Sequence, residues 1–262
     1  MTERLYEGSA GRREADVPAA ADAKVRAVGV IVPAHNEETL LPQCLESILR
    51  ACEPLDVDAT IAVVLDRCSD RTITVVENLI GRASPILALS ARQPGVGAAR
   101  AAGADALVRM FGSDELWLCT TDADSVVPAD WIVRQLAHAA DGARAVVGTV
   151  RVLDWSEHPP PVAQRYASRY RHEVGHRHMH GANLSFHAAA YLAAGGFGHE
   201  LHDEDVALIT RLESLGYSLT WAADLAVTTS ARRVGRAPAG FATYLAGLHP
   251  HTEMSESNDA FC

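Results

Sequence analysis

Short apolar runs punctuate the first half of the chain at 28–32, 60–65, 86–89, 116–119 and 145–148. They are continuous rather than alternating, which is the pattern of strands buried on both faces, as in a parallel sheet. Helical patterns lie between them. Leu41, Leu45, Ile48 and Leu49 fall at i, i+4, i+7 and i+8, behind Glu37 and Glu38, with Pro42 marking a kink or the true helix start. An Ala-rich helix is expected over 97–111, and Pro128 opens another through Ile132, Val133 and Leu136. After Pro159-Pro160-Pro161 a helical stretch is expected to about His176. A glycine-rich turn at 195–198 then precedes an amphipathic helix carrying Val206, Ile209, Leu212 and Leu215. Two more strands are expected at 217–221 and 225–229. Strands alternating with helices predict an α/β sandwich around a mostly parallel sheet. In such sheets ligands bind beyond the carboxyl ends of the strands, so the residues just after each apolar run are the informative ones.

Composition narrows the field. The 262 residues include 23 Lys and Arg against 33 Asp and Glu, a formal net charge of −10, which gives no overall attraction to nucleic acid. No apolar run is long enough to span a membrane, and the leading 23 residues lack a signal-peptide core. Peripheral contact with a membrane, to reach a lipid-linked acceptor, stays open. The five cysteines are widely spaced and form no CxxC pair, the pattern of reduced thiols in a cytoplasmic protein.

Acidic residues gather at the expected strand ends. The run at 116–119 leads into Thr121-Asp122-Ala123-Asp124-Ser125, where i and i+2 side chains share a side and both carboxylates converge. Two carboxylates without a basic neighbour repel, and a hard divalent cation such as Mg²⁺ or Mn²⁺ is the usual remedy. The same two residues also suit a helix-capping turn before Pro128. The first run ends in Pro33-Ala34-His35-Asn36-Glu37-Glu38, and the second in Asp66-Arg67-Cys68-Ser69-Asp70-Arg71-Thr72. Asp70 reads as the cap of a helix beginning near Thr72. Asp66, at the strand tip, is better placed to accept hydrogen bonds from a ligand's base or ribose.

These segments, followed by GVGAARAAG, HGANLSFHAAAYLAAGGF and HDEDVALITRL, occur in the order found in family 2 glycosyltransferases of the GT-A fold, which the chain resembles over roughly residues 27–230. The resemblance implies a three-layer α/β sandwich with a smaller acceptor-side region. It implies a catalytic domain over 26–230 with donor and acceptor halves meeting near 125. The polar, Ala-rich residues 1–25, without periodicity, read as a mobile leader, and 231–262 as a basic segment with a flexible tail. A sugar nucleotide would then be the donor, UDP ahead of GDP, and a hydroxyl the acceptor. Pro33, Ala34, Asn36, Glu37 and Asp66 would surround base and ribose, with Arg100 and the 95–97 turn nearby. Asp122 and Asp124 would grip ribose and a diphosphate-bound Mg²⁺ or Mn²⁺. The family's later acidic pair matches Glu204-Asp205, and likeness to its inverting members makes Asp205 the general base. Where many such enzymes place a metal-binding histidine, this chain has Arg232 and Arg233, with Arg236 beyond. These arginines are candidates to meet the phosphates by forked hydrogen bonds.

A competing pattern sits at Arg171-His172-Glu173-Val174-Gly175-His176. It contains HExxH, which on a helix puts two zinc ligands one turn apart beside a glutamate base. Eight of twelve histidines fall between His158 and His202, so an accidental match is easily made. A third ligand would have to come from Glu200 or Glu204, and a zinc hydrolase would leave the strand-end carboxylates unexplained. His176, His178 and His180, just ahead of Gly181-Ala182-Asn183, are also placed to bind an anionic or sugar acceptor. A non-catalytic sugar-nucleotide binder is the remaining alternative, and the intact acid set argues against it.

Overall fold

The computed structural model describes residues 24–80, 85–198, 203–235 and 240–249. The elements run β1 (Ala27–Ala34), α1 (Leu41–Cys52), β2 (Asp58–Leu65), α2 (Thr72–Ile80), β3 (Ile86–Ser90), α3 (Val96–Phe111), β4 (Leu116–Thr120) and β5 (Ser125–Val126). They continue with α4 (Trp131–Ala140), β6 (Ala145–Arg151), α5 (Pro160–Arg169), a 3₁₀ turn (Gly181–Asn183), β7 (Leu184–His187), α6 (Ala188–Ala193), α7 (Glu204–Ser214), β8 (Leu219–Thr229) and α8 (Phe241–Ala246). The strands form one eight-stranded sheet in the order β3-β2-β1-β4-β7-β6-β8-β5. β3, β2, β1 and β4 are mutually parallel, as are β6 and β8, while β7 and β5 run against their neighbours. This is the mostly parallel α/β sandwich that the apolar runs predict.

Both faces of the sheet are dry. Val28, Val30 and Val32 of β1 face a core completed by Leu41, Leu45 and Ile48 of α1, Val76 of α2, and Trp131 and Ile132 of α4. Ile31 faces the opposite layer, with Leu107 of α3, Tyr191 of α6, and Leu208, Ile209 and Leu212 of α7. A strand covered on both sides has no polar face to show, so its sequence reads as an unbroken apolar run. A third cluster joins Val150, Val162, Tyr166 and Tyr170 to Leu245 and Leu248, seating α5 and α8 beside the end of β6.

Several boundaries differ from expectation. Pro42 lies in the first turn of α1, where its missing N–H costs nothing, so it starts the helix rather than kinking it. α5 ends at Arg169, well short of His176. The strands expected at 217–221 and 225–229 are one strand, β8. Its pairing with β6 jumps from Gly148–Ala222 to Thr149–Ala226, and the intervening residues bulge out. Val133 and Leu215, counted with the apolar faces of their helices, are each 41% exposed. Of the leader expected over 1–25 only Lys24 and Val25 are described, and Val25 packs against the first core. The described cysteines Cys44, Cys52, Cys68 and Cys119 are free thiols, and Cys262 lies outside the described residues. Among the described residues, no helix is long and apolar enough to cross a membrane.

Asn183, fully buried, pins the bulge. Its Nδ2 donates to the Thr149 carbonyl at 2.8 Å and the Leu225 carbonyl at 2.9 Å, and its Oδ1 accepts from Trp131 Nε1 at 2.9 Å. Gly148 leaves the room, since a Cβ there would stand 2.2 Å from Asn183 Nδ2. Asn183→Ala orphans these buried partners and is expected to destabilise the fold by about 2–4 kcal/mol. Urea unfolding checks this, and an unshifted midpoint would remove Asn183 from the structural account.

Candidate active site

β1, β2 and β4 end on one edge of the sheet, and the loops that follow them wall a cavity of about 620 Å³. Pro33 and Ala34 come from the end of β1, His35 and Glu37 from the loop after it, Asp66 and Arg67 from the loop after β2, and Asp122, Ala123 and Asp124 from the loop after β4. Gly95 and Val96 at the start of α3 and Arg232 complete the chamber. Asp66 is buried at its rim, accepting from Arg67 Nε at 2.9 Å and the Gly95 N–H at 3.0 Å. Burial would raise its carboxyl, but those two donors hold it below the usual carboxylate range. Asn36 is not among the walls. It adopts φ 55° and its Oδ1 accepts from the Ser69 N–H at 2.7 Å, tying the first loop to the second. Asp70 caps α2 as expected, its Oδ1 accepting from the Thr72 N–H at 3.0 Å.

A second cavity of about 410 Å³ opens on the other side of Asp122. Its walls include Asp203, Glu204, Asp205, His178, His180 and Tyr170. Val96, Asp122, Thr229, Gly240 and Phe241 border both cavities. The Asp205 carboxylate is fixed by the backbone, Oδ2 accepting from the Gly181 N–H at 2.6 Å and Oδ1 from the Val206 N–H at 2.8 Å.

Beneath the junction lies Arg100, buried and reaching three ways. NH1 bonds Glu204, NH2 bonds Asp122, and Nε donates to Thr120 Oγ1 at 3.1 Å, which in turn donates to the Gly181 carbonyl at 3.0 Å. The fit admits no side chain opposite, because a Cβ on Gly181 would stand 2.2 Å from the Arg100 guanidinium carbon. Burial alone would lower the guanidinium, yet Asp122 and Glu204 outweigh it and hold Arg100 protonated. Glu204 is pushed upward by burial, with Arg100 opposing.

The premise that the paired aspartates lack basic neighbours is therefore incorrect. Asp122 pairs with Arg100, while Arg232 bridges Asp124 and Glu37, its NH1 lying 2.7 Å from Glu37 Oε1. Long-range contacts of this kind carry no signal in sequence spacing. Negative charge is nevertheless in surplus, with Glu37, Asp122, Asp124, Glu204 and Asp205 set against Arg100 and Arg232. Burial first, and then Asp122 and Glu37, raise the Asp124 carboxyl to about 6 despite Arg232. Asp122 and Asp124 each give one oxygen to an arginine, and the other suits a hard divalent cation. Among the described residues no group of three or more His, Cys, Asp or Glu could hold a metal, so ligand oxygens and water would have to complete its shell.

Other expectations move. Arg100 lines the second cavity rather than the first, so it is not beside Asp66. Arg233 is exposed, and its backbone N–H donates to Glu157 Oε2 at 3.2 Å, outside both cavities. Arg236 lies outside the described residues. His178 and His180 line the second cavity, whereas His176 is buried behind them against Trp221. The HEVGH segment is not helical, with Gly175 at φ 78°. His172 faces Thr149 Oγ1 at 3.3 Å, so the one-turn ligand spacing is not formed, and Glu200 lies outside the described residues. Phe241 and Tyr244 went unread, because the basic stretch before α8 hid its short apolar pattern.

The glycosyl transferase family 2 model matches residues 29–194. The chain belongs to that family. This family 2 chain is 32% identical over 130 residues to the undecaprenyl-phosphate 4-deoxy-4-formamido-L-arabinose transferase of Proteus mirabilis, covering 49% of the chain and 38% of that protein. It is 25% identical over 207 residues to the probable glycosyltransferase YdaM of Bacillus subtilis, covering 73% of the chain and 48% of the relative. The family 2 chain thus spans less than half the length of these curated relatives. Among solved structures, S. aureus TarS residues 1–349 in complex with UDP-GlcNAc superposes with a TM-score of 0.63 at 14% identity, over 82% of this chain and 61% of that one. The mannosyltransferase PcManGT of Pyrobaculum calidifontis, in complex with GDP-Man and Mn²⁺, gives 0.59 at 21% identity, over 81% and 59%. These likenesses show a shared GT-A architecture.

Arg100→Met strands Glu204 as a buried unpaired charge and is expected to cost about 3–5 kcal/mol of stability. Adding Glu204→Gln should restore a large part of that loss. Denaturant unfolding of both variants decides it, and losses that simply add would mean the two side chains are not coupled.

Proposed function

We propose that the protein transfers a sugar from a nucleoside diphosphate sugar to an acceptor hydroxyl, with inversion at the anomeric carbon. The observation that carries this is the meeting of two cavities at Asp122, with Asp66 at the far rim of one and Asp205 in the wall of the other. The donor lies in the larger cavity, its base and ribose toward Ala34 and Asp66 and its diphosphate toward Asp122, Asp124 and Arg232. The UDP-GlcNAc and GDP-Man–Mn²⁺ complexes of the structural neighbours support a donor of this class, for which UDP stands ahead of GDP. When bound, Mg²⁺ or Mn²⁺ neutralises the diphosphate as it leaves.

The chain's own residues do the rest. Asp205 takes the proton of the acceptor hydroxyl as its oxygen bonds the anomeric carbon, and the bond from that carbon to the diphosphate breaks. Two backbone N–H donors aim the Asp205 carboxylate, and each oxygen retains a lone pair for the incoming proton. Arg232 both pairs with the Asp124 carboxylate and lines the donor cavity, placed to receive diphosphate charge. Glu204, first grouped with Asp205 as catalytic, serves instead to hold Arg100, which positions Asp122 and Gly181.

Asp205→Asn is expected to keep donor binding and lose about 10²–10⁴ in kcat. Equal turnover in the two proteins would refute the base assignment. Because Asp124 titrates high, a cation must displace its proton at low pH. Mn²⁺ affinity should therefore tighten by about tenfold per pH unit below about 6 and level off above it. Calorimetric titration across that range measures this, and a flat profile would release Asp124 from metal binding. Asp124→Ala should abolish the metal-dependent part of donor binding.

A further inference from the structure

The second cavity has an unusual wall. Tyr166 and Tyr170 stack at 4.9 Å, and His178 stacks on Tyr170 at 3.9 Å with the rings 9° from parallel. His180 lies 5.6 Å from Tyr170 at 22°, and its other neighbour is the edge of Phe241 at 6.0 Å. The tyrosines are held rigid by β6, Tyr166 Oη donating to the Val150 carbonyl at 2.8 Å and Tyr170 Oη accepting from the Val150 N–H at 3.0 Å. A preordered ring stack of this kind offers a flat apolar surface at little cost in side-chain entropy.

The polar groups facing it are acidic. Asp203, Glu204, Asp205 and Asp122 line the same cavity, and Arg100, its only arginine among the described residues, is already engaged by Glu204 and Asp122. The histidines supply no compensating charge, since burial lowers both rings, that of His180 to about 4. His180 Nε2 is screened from solvent and without a hydrogen-bond partner. Among the described residues, an anionic guest would meet carboxylates and no free cation, at a cost that grows as water is expelled. A neutral polyol would find acceptors for its hydroxyls and a flat wall for its C–H face.

We propose that the group entering this cavity is a neutral sugar, its ring face laid on the Tyr170–His178–His180 wall and its reacting hydroxyl turned to Asp205. This rests on the sugar-transfer reading and refines it, replacing the anionic acceptor that the histidine cluster also suggested. The acceptor's charged portions, where it has any, stay outside the chamber.

The test uses the full chain with isotope-labelled histidine and follows imidazole signals by NMR. The probes are the methyl glycosides of glucose, galactose and mannose, with glucose 6-phosphate and benzyl alcohol as counter-probes. At least one methyl glycoside should shift the His178 and His180 signals saturably, and glucose 6-phosphate should bind at least tenfold more weakly. His178→Ala should weaken the glycoside at least fivefold, read on the His180 signal, and His178→Phe, which keeps a flat ring on Tyr170, should not. The proposal is overturned if glucose 6-phosphate binds as well as the best glycoside, if benzyl alcohol alone moves these rings, or if no probe moves them. Thermal shift with UDP or GDP and Mn²⁺ reports on the donor cavity separately, so loss of that response would sink the sugar-nucleotide reading while leaving the probe result to stand on its own.

Discussion

A single buried guanidinium organises the centre of this molecule. Arg100 rises from α3 beneath the edge where β4 ends, and it fastens the first aspartate of the Asp122–Asp124 pair, the glutamate that opens α7, and, through Thr120, the turn that holds Asp205. A buried charge is tolerated only with its partners in place. The three segments it joins are far apart in sequence, so their mutual placement depends on one side chain finding all of them. Asp122, one of its partners, stands on the border common to both cavities.

Charge surplus follows from the same arrangement. Two arginines cannot balance five carboxylates, and that imbalance adds to burial in holding the Asp124 proton to about 6. The larger cavity thereby favours a guest that arrives with its own cation. The second cavity, whose acids are matched among the described residues only by an arginine already in use, favours a guest with no charge. On the proposed transfer, one electrostatic condition would sort donor and acceptor onto opposite sides of Asp122.

The fold was legible to the extent that burial leaves a mark on sequence. β1, β2 and β4 announce themselves because both of their faces are dry, and α1 because its buried stripe of Leu41, Leu45 and Ile48 keeps helical spacing. β7 went unseen, being four residues held by pairing between β4 and β6 rather than by any pattern of its own. The merging of two expected strands into β8 depends on Asn183 bridging a bulge, a contact made across 34 and 42 residues. At the site, Asp66, Asp122, Asp124 and Asp205 were visible because each follows a strand or opens a helix. Their partners were not, since Arg232 reaches Glu37 across 195 residues and nothing in local spacing encodes that. The HEVGH segment shows the converse, a local pattern without the helix that would give it meaning.

Phe241 and Gly240 stand in the partition between the two chambers rather than in either one alone. Any displacement of that partition on entry of one guest alters the space left for the other, and thermodynamic reciprocity requires the effect to be equal in both directions. On the proposed transfer, the affinities of the two reactants for their chambers would therefore be coupled through the first turn of α8.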